Sequence, residues 1–215
     1  MPSFFKEEGW LFTLTDKVGE TLLATIYCVL CCIPLVTVIP SLTSFYYVMV
    51  KCVRHDRSSV TKEFFGSMKR VFVRGLITSI LLILWLFGLY YNGLLLVENG
   101  FVQNNFSPAL VLIYVLIAVT LFIAVWIPPV FSRFDMKLTG ILRMAAYVSF
   151  RYFYITILIA ALDLLGGFLV IRVLPVLFIF VVPGACAYLS TYLVERVLIK
   201  VMPESDDNPD QWYRD

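Results

Sequence analysis

Thr21–Val50 reads TLLATIYCVLCCIPLVTVIPSLTSFYYVMV, thirty consecutive residues without a charge and with prolines at 34 and 40. As one straight helix this stretch spans about 45 Å at 1.5 Å per residue, against a hydrocarbon core about 30 Å thick. Each proline removes a backbone donor and disturbs any helix that runs through it. The stretch therefore breaks, tilts or turns back inside or beside a bilayer. The reading is two short helices around a Pro-rich, hydroxyl-rich break.

Working outward, the rest of the chain has the same character. Of its 215 residues 60% are hydrophobic and only 15% charged, where soluble domains carry roughly 25% charge. Further uncharged runs cover 75–97, 99–132 and 173–194, and residues 152–171 carry only Asp163. Each run is long enough for about one membrane span, and the runs mostly lack the polar face of a helix packed in a soluble core.

The net charge of +2 says little, but its distribution says more. Lys51, Arg54, Arg57, Lys62, Lys69, Arg70 and Arg74 crowd residues 51–74, residues 98–132 hold no Lys or Arg, and Arg133, Lys137, Arg143 and Arg151 follow. The alternation places 51–74 and 133–151 in the cytoplasm and 98–107 outside. Cytoplasmic basic contacts are then Lys51, Arg54, Lys69 and Arg70, and juxtamembrane Lys and Arg need no nucleic acid to explain them. Residues 1–20 mix Lys6, Glu7, Glu8, Asp16, Lys17 and Glu20, which is not the basic lead of a cleaved signal peptide. Five cysteines, an odd count with four inside apolar runs, do not form a disulfide framework. The Cys28-x-x-Cys31 pair lacks the accessible thiolates of a redox or zinc site.

The fold class is all-α: a polytopic transmembrane helical bundle with five hydropathy peaks, five or six crossings, and two cytoplasmic amphipathic interfacial helices. Residues 1–201 form a single transmembrane domain and 202–215 (MPESDDNPDQWYRD from 202) a short acidic cytoplasmic tail. Phe4, Phe5, Trp10, Leu11 and Phe12 suit an interfacial segment. Residues 60–74 place Val60, Phe64, Met68 and Phe72 at fourfold spacing and lead into a span over 75–97. A turn at 99–107, a span closed by Pro128-Pro129, a second amphipathic helix over 133–150 and two final spans joined at Leu174-Pro175 complete the chain. An internal offset of 78 residues aligns Val60-Thr61 with Leu138-Thr139, Phe72 with Phe150, and Ile77-Thr78 with Ile155-Thr156. By that analogy 34–53 crosses downward and about 12–33 crosses upward before it. Six crossings with both termini inside are preferred to five with the N-terminus outside, and the C-terminus is cytoplasmic in both.

Asp163 is the sharpest single candidate for chemistry, because a carboxylate inside a span faces a bundle interior, a water-filled cavity or a partner. It either protonates in transport, pairs with a partner subunit, or sits at the outer interface or hydrogen-bonded within the bundle. Arg172, nine residues on, snorkels to headgroups. Thr37, Ser41, Thr43 and Ser44 surround Pro34 and Pro40: hydroxyls at a broken helix line some transport sites and elsewhere satisfy carbonyls that proline frees. Tyr46 and Tyr47 stack on a sugar, pack, or anchor at the interface. Gly184, Ala187 and Thr191 share one face of the last span, a close-approach face within the bundle or toward another protein. The single histidine, His55, lies in a basic loop, and no HExxH, GxSxG or GxxxxGK[ST] occurs. No enzyme activity, cofactor or metal site is expected.

Residues 31–75, CCIPLVTVIPSLTSFYYVMVKCVRHDRSSVTKEFFGSMKRVFVRG, resemble the YesL family of small bacterial integral membrane proteins, a domain of unknown function. The resemblance is carried by Cys31, Pro34, Val36 and Thr37; by Ser41, Thr43, Ser44, Tyr46, Tyr47 and Val48; by Lys51 and Arg54; and by Phe64, Phe65, Ser67 and Lys69. Pro183-Gly184 and Tyr192-Leu193 extend it to the last span. A Gly is usual where Pro40 stands, and Pro cannot adopt φ > 0, so the turn differs. The resemblance implies a bacterial cell membrane and an accessory or regulatory role in carbohydrate ABC import, with permease or ATPase subunits as partners. An independent small-solute transporter using the Pro34–Pro40 break and Asp163 is the alternative.

Overall fold

The break at Pro34–Pro40 is held by helices on both sides of it, and its position organises the fold. The computed structural model describes residues 5–55, 58–98, 108–173 and 176–201, without the side chains of 5–15 and 169–181. Phe4, the side chains of Phe5, Trp10, Leu11 and Phe12, Asp56, the turn at 99–107, the side chain of Arg172, the Leu174-Pro175 joint and the tail 202–215 lie outside the described residues. The elements are α1 (Phe5–Cys32), α2 (Val38–Val48), α3 (Val60–Glu98), α4 (Pro108–Ala124), α5 (Ile127–Arg133), α6 (Leu138–Arg151), α7 (Phe153–Val173) and α8 (Val176–Val201). A 3-10 turn, Leu35–Thr37, precedes α2 and a π-helical segment, Met49–Arg54, follows it. There is no strand among the described residues.

α1 and α2 form a hairpin that turns at Ile33–Thr37, and α2 runs antiparallel to the first half of α3. Ile39 N–H donates to Ser79 Oγ at 3.1 Å, Pro40 packs on Gly75, and Lys51 pairs with Glu63 at 2.9 Å. A Cβ at Gly75 would stand 3.0 Å from the Pro40 ring, so this glycine is what lets the two backbones approach. The sequence predicts an amphipathic helix over 60–74 and a separate span over 75–97. The structure instead joins them as one helix of 39 residues, about 58 Å long, because no Pro or turn interrupts residues 60–98. Its buried face is Val60, Phe64, Ser67, Val71, Gly75, Thr78 and Ser79. Phe72 is exposed rather than on that face: a spacing of four advances 40° per step at 3.6 residues per turn, so fourfold spacing drifts off the stripe.

No residue of α3 beyond Ser79 is buried. Residues 80–98 extend about 28 Å further, close to one hydrocarbon thickness, and run antiparallel to α4 through Trp85–Thr120 and Gly93–Ile113 contacts. Continuing that register sets Ser79 opposite Trp126, where α4 gives way to α5. Trp126 in turn donates to Thr156 at 2.8 Å, just past the 98° bend between α6 and α7. Three helix breaks, at Pro34–Pro40, Trp126–Pro129 and Tyr152, thus share one level.

That level divides two unlike halves. On one side lie the two buried clusters, one built from Ile39, Tyr46, Trp126, Val130, Ile141 and Leu198 among others, the second from Ala24, Phe45, Met49, Val53 and Phe64 among others. On the other side α3 and α4 expose Leu84, Trp85, Phe87, Leu112 and Tyr114. An aqueous surface does not tolerate apolar area of that extent. Three stretches are long and apolar enough to cross a membrane, 35–54, 60–98 and 108–133, and the bent pair α6 and α7 makes a fourth. Among the described residues, which leave out the side chains of 169–181, this does not reach the five or six expected. In the first stretch, six crossings need 12–33 and 34–53 each to traverse the full layer, whereas α2 begins level with Ser79 and leaves the outer half of α3 uncovered by it.

The offset of 78 residues survives in part. Val60 and Leu138 both open helices, and Ser67 and Ala145, Val71 and Ser149, and Thr78 and Thr156 are buried in both segments. The second segment bends at Tyr152 where α3 continues straight.

Candidate functional site

Each proline break strands backbone groups, and side chains from elsewhere take them up. At the end of α1 the Thr37 hydroxyl stands 2.6 Å from the Cys31 carbonyl and 2.7 Å from that of Pro34, which share its single proton. At the start of α2 the free Ile39 N–H finds Ser79. Thr43 and Ser44 donate to the carbonyls of Ile39 and Pro40, both at 2.8 Å. Ser41 is fully buried beside Cys32. In α4 and α5, Trp126 N–H turns to Ile123 rather than Phe122, and Ser149 donates to the vacated Phe122 carbonyl at 3.1 Å. The hydroxyls of Thr37, Thr43 and Ser44 are therefore committed to backbone carbonyls.

The strongest concentration of polar chemistry lies among three helices on the compact side. Arg133 at the end of α5 and Glu195 in α8 pair at 2.7 Å, each with a side chain 3% exposed. Tyr46 from α2 donates its hydroxyl to the same Glu195 oxygen at 2.6 Å. Next to this cluster the Arg54 guanidinium stacks on the Tyr192 ring, 4.5 Å from its centre, and Tyr192 bonds Tyr188 at 2.7 Å. A second set follows along α2: Lys51 reaches both Glu63 and the Tyr47 hydroxyl, the latter at 3.1 Å. Arg74, where the charged half of α3 ends, pairs with Asp135 and donates to the Met136 carbonyl.

Of the residues singled out in the sequence, Tyr46, Tyr47, Lys51 and Arg54 come together in these sets, joined to Glu63, Arg133, Glu195 and Tyr192. Lys69 and Arg70 are exposed on α3. Asp163 is exposed midway along α7, away from both sets. The Gly184 face packs inside the bundle: a Cβ there would stand 2.7 Å from Thr21 and Thr25 of α1. The cavities nearby are apolar clefts of about 220 Å³, between Lys17, Thr21, Val53 and Tyr188, and about 380 Å³, between Cys28, Ile33, Phe45 and Pro183.

Read from the sequence, Arg133 stands only among the cytoplasmic basic residues and Glu195 is not singled out. One signal was available for Glu195. It falls in step with Thr191, Val194 and Leu198, all buried, so a carboxylate occupies the apolar stripe of its helix. Arg133 carries no comparable sign, because its neighbours Phe131 and Ser132 continue an ordinary span end.

These features define a helical protein with stretches apolar enough to span a membrane and a buried polar cluster at one end. A family model described as a protein of unknown function, DUF624, matches residues 10–93. The matched segment comprises the α1–α2 hairpin and most of the α3 helix it packs on. No curated protein and no solved structure matches the chain.

Proposed function

We propose that the protein is a non-catalytic accessory or regulatory component of carbohydrate ABC import, related to the YesL family, in the bacterial cell membrane. The observation that carries this reading is the commitment of its inward polar groups to one another. Thr37, Thr43 and Ser44 hold carbonyls, and Glu195 accepts from both Arg133 and Tyr46. Groups so engaged serve rigidity better than solute binding or proton transfer. The importer as partner rests on the family resemblance.

In this reading residues 80–98 and α4 cross the bilayer, and the α1–α2 hairpin enters from the cytoplasmic side and returns. Its tip, with Ile33 and Leu35 exposed, rests in lipid near the level of Ser79. Both termini are cytoplasmic. The first half of α3 and all of α6 are amphipathic cytoplasmic helices. α6 buries Ile141, Ala145 and Val148 and leaves Arg143 and Arg151 exposed. Exposed Lys69, Arg70 and Arg143 then face the permease loops or the ATPase. Affinity purification of the tagged protein from its native membrane in mild detergent tests this. Permease or ATPase subunits are expected in the eluate, and a monomer that never captures them refutes it.

Transport by the protein itself is the second reading, favoured by one observation, the exposed carboxylate of Asp163 in an apolar helix. It requires solute or proton flux into liposomes that Asp163→Asn abolishes.

A further inference from the structure

Cys28 and Cys32 stand one turn apart on α1, with their sulfurs 4.0 Å from each other. Residues four apart on a helix hold their Cβ atoms about 5–6 Å apart, whereas a disulfide needs them about 3.5–4.5 Å apart. The pair is therefore too wide for a disulfide on an intact helix. It is not too wide for a bridging ion: two metal–thiolate bonds of about 2.3 Å reach at most about 4.6 Å and span the observed gap when bent. Both cysteines line the apolar cleft of about 380 Å³, together with Thr25, Ile33, Phe45 and Pro183. Ile33 is exposed, so the sulfurs can be reached from outside the bundle along this cleft.

A second observation comes from α2. Thr43 and Ser44 spend their hydroxyls on carbonyls one turn back. Ser41, fully buried beside Cys32, makes no hydrogen bond of good geometry. A buried hydroxyl left without a partner is costly, and a thiolate at Cys32 supplies the acceptor it lacks.

The donor set selects the ion. Thiolates are soft ligands and favour Cu(I) over hard cations. Among the described residues no three His, Cys, Asp or Glu side chains gather as metal ligands, so zinc, which takes four ligands in structural sites, is poorly served by two sulfurs. Charge points the same way. As a monovalent ion enters, one thiol proton leaves to water. One thiolate and one thiol around Cu(I) are then neutral overall, which suits an apolar cleft. We propose that Cys28 and Cys32 bind one Cu(I) ion, with the Ser41 hydroxyl donating to the Cys32 sulfur and so linking the site to α2. The ion then joins the two arms of the hairpin beside its turn.

The test uses the full-length protein, reduced and in detergent, titrated with Cu(I) in competition with the chromophoric chelator bicinchoninate. One ion per chain is expected to leave the chelator, and an excess of Zn(II) is expected not to displace it. X-ray absorption is expected to show two sulfur ligands at about 2.3 Å. Cys28→Ser and Cys32→Ser are each expected to lose the site, and Ser41→Ala to weaken it about tenfold. Cys31→Ser and Cys186→Ser are expected to leave it unchanged. Copper that stays with the chelator, displacement by Zn(II), or full binding in a folded Cys28→Ser or Cys32→Ser variant overturns the proposal. The absorption spectrum is read on the wild-type protein and decides the matter if a variant misfolds: nitrogen or oxygen ligands in place of the two sulfurs overturn it. Binding is read without importer subunits, so its failure leaves the accessory reading untouched.

Discussion

Removing one member of the Arg133–Glu195 pair should destabilise the fold far more than removing both. The two charges are 2.7 Å apart with side chains 3% exposed. At an effective dielectric of about 20 their gross attraction is roughly 6 kcal/mol, nearly balanced by the cost of taking both from water. Glu195→Leu leaves the Arg133 guanidinium buried without its counter-ion, at about 3–5 kcal/mol. It also strips the Tyr46 hydroxyl of its acceptor, adding about 1–3 kcal/mol. Arg133→Met leaves Glu195 with Tyr46 alone and falls in the lower part of that range. Tyr46→Phe removes one bond to a charged acceptor and costs about 1.5–3 kcal/mol. The double variant Arg133→Met/Glu195→Leu fills the same space with apolar side chains and is expected within about 1.5 kcal/mol of wild type. Reversible SDS unfolding in mixed micelles, followed by tryptophan fluorescence, measures all four and closes the double-mutant cycle. Single variants each within 1 kcal/mol of wild type, or a double variant equal to their sum, would refute the assignment of a dry, mutually dependent pair.

Further outcomes follow from the same contacts. Gly75→Ala, whose Cβ would stand 3.0 Å from the Pro40 ring, should cost about 1–3 kcal/mol in the same unfolding assay, and Pro40→Gly in that background should recover part of the loss. Ser79→Ala deprives the buried Ile39 N–H of its acceptor and is expected to cost about 1–3 kcal/mol, with faster amide exchange at Ile39 by mass spectrometry. In a cysteine-free background, Leu35→Cys should resist a membrane-impermeant maleimide added from outside, as a cytoplasmic hairpin tip requires. Brisk labelling from outside would instead establish two complete crossings before α3.

Membrane character and helical class were legible from charge spacing alone, because a bilayer demands long uncharged runs and tolerates no unpaired backbone. The break at Pro34–Pro40 was equally legible, since proline acts locally. Less so was the merging of 60–74 with 75–97 into one helix: a change of composition at Arg74 looks like a boundary, but helix continuity depends on backbone alone. The bend at Tyr152 had no Gly or Pro to announce it. It occurs where Trp126 and Ser149 bring α4 and α5 against the joint.

The sequence by itself determined what is local or additive: which stretches avoid water, where charges gather on one side, and where proline interrupts a helix. Only the tertiary structure decided how far the thirty uncharged residues from Thr21 to Val50 reach. Gly75 and Ser79 set that depth, one by admitting Pro40 and the other by accepting from Ile39, and both lie about 40 residues down the chain. Tertiary structure also decided that Arg133 and Glu195, 62 residues apart, meet without water. Pairing of distant charges depends on which helix faces adjoin, and no periodicity within a single helix records it.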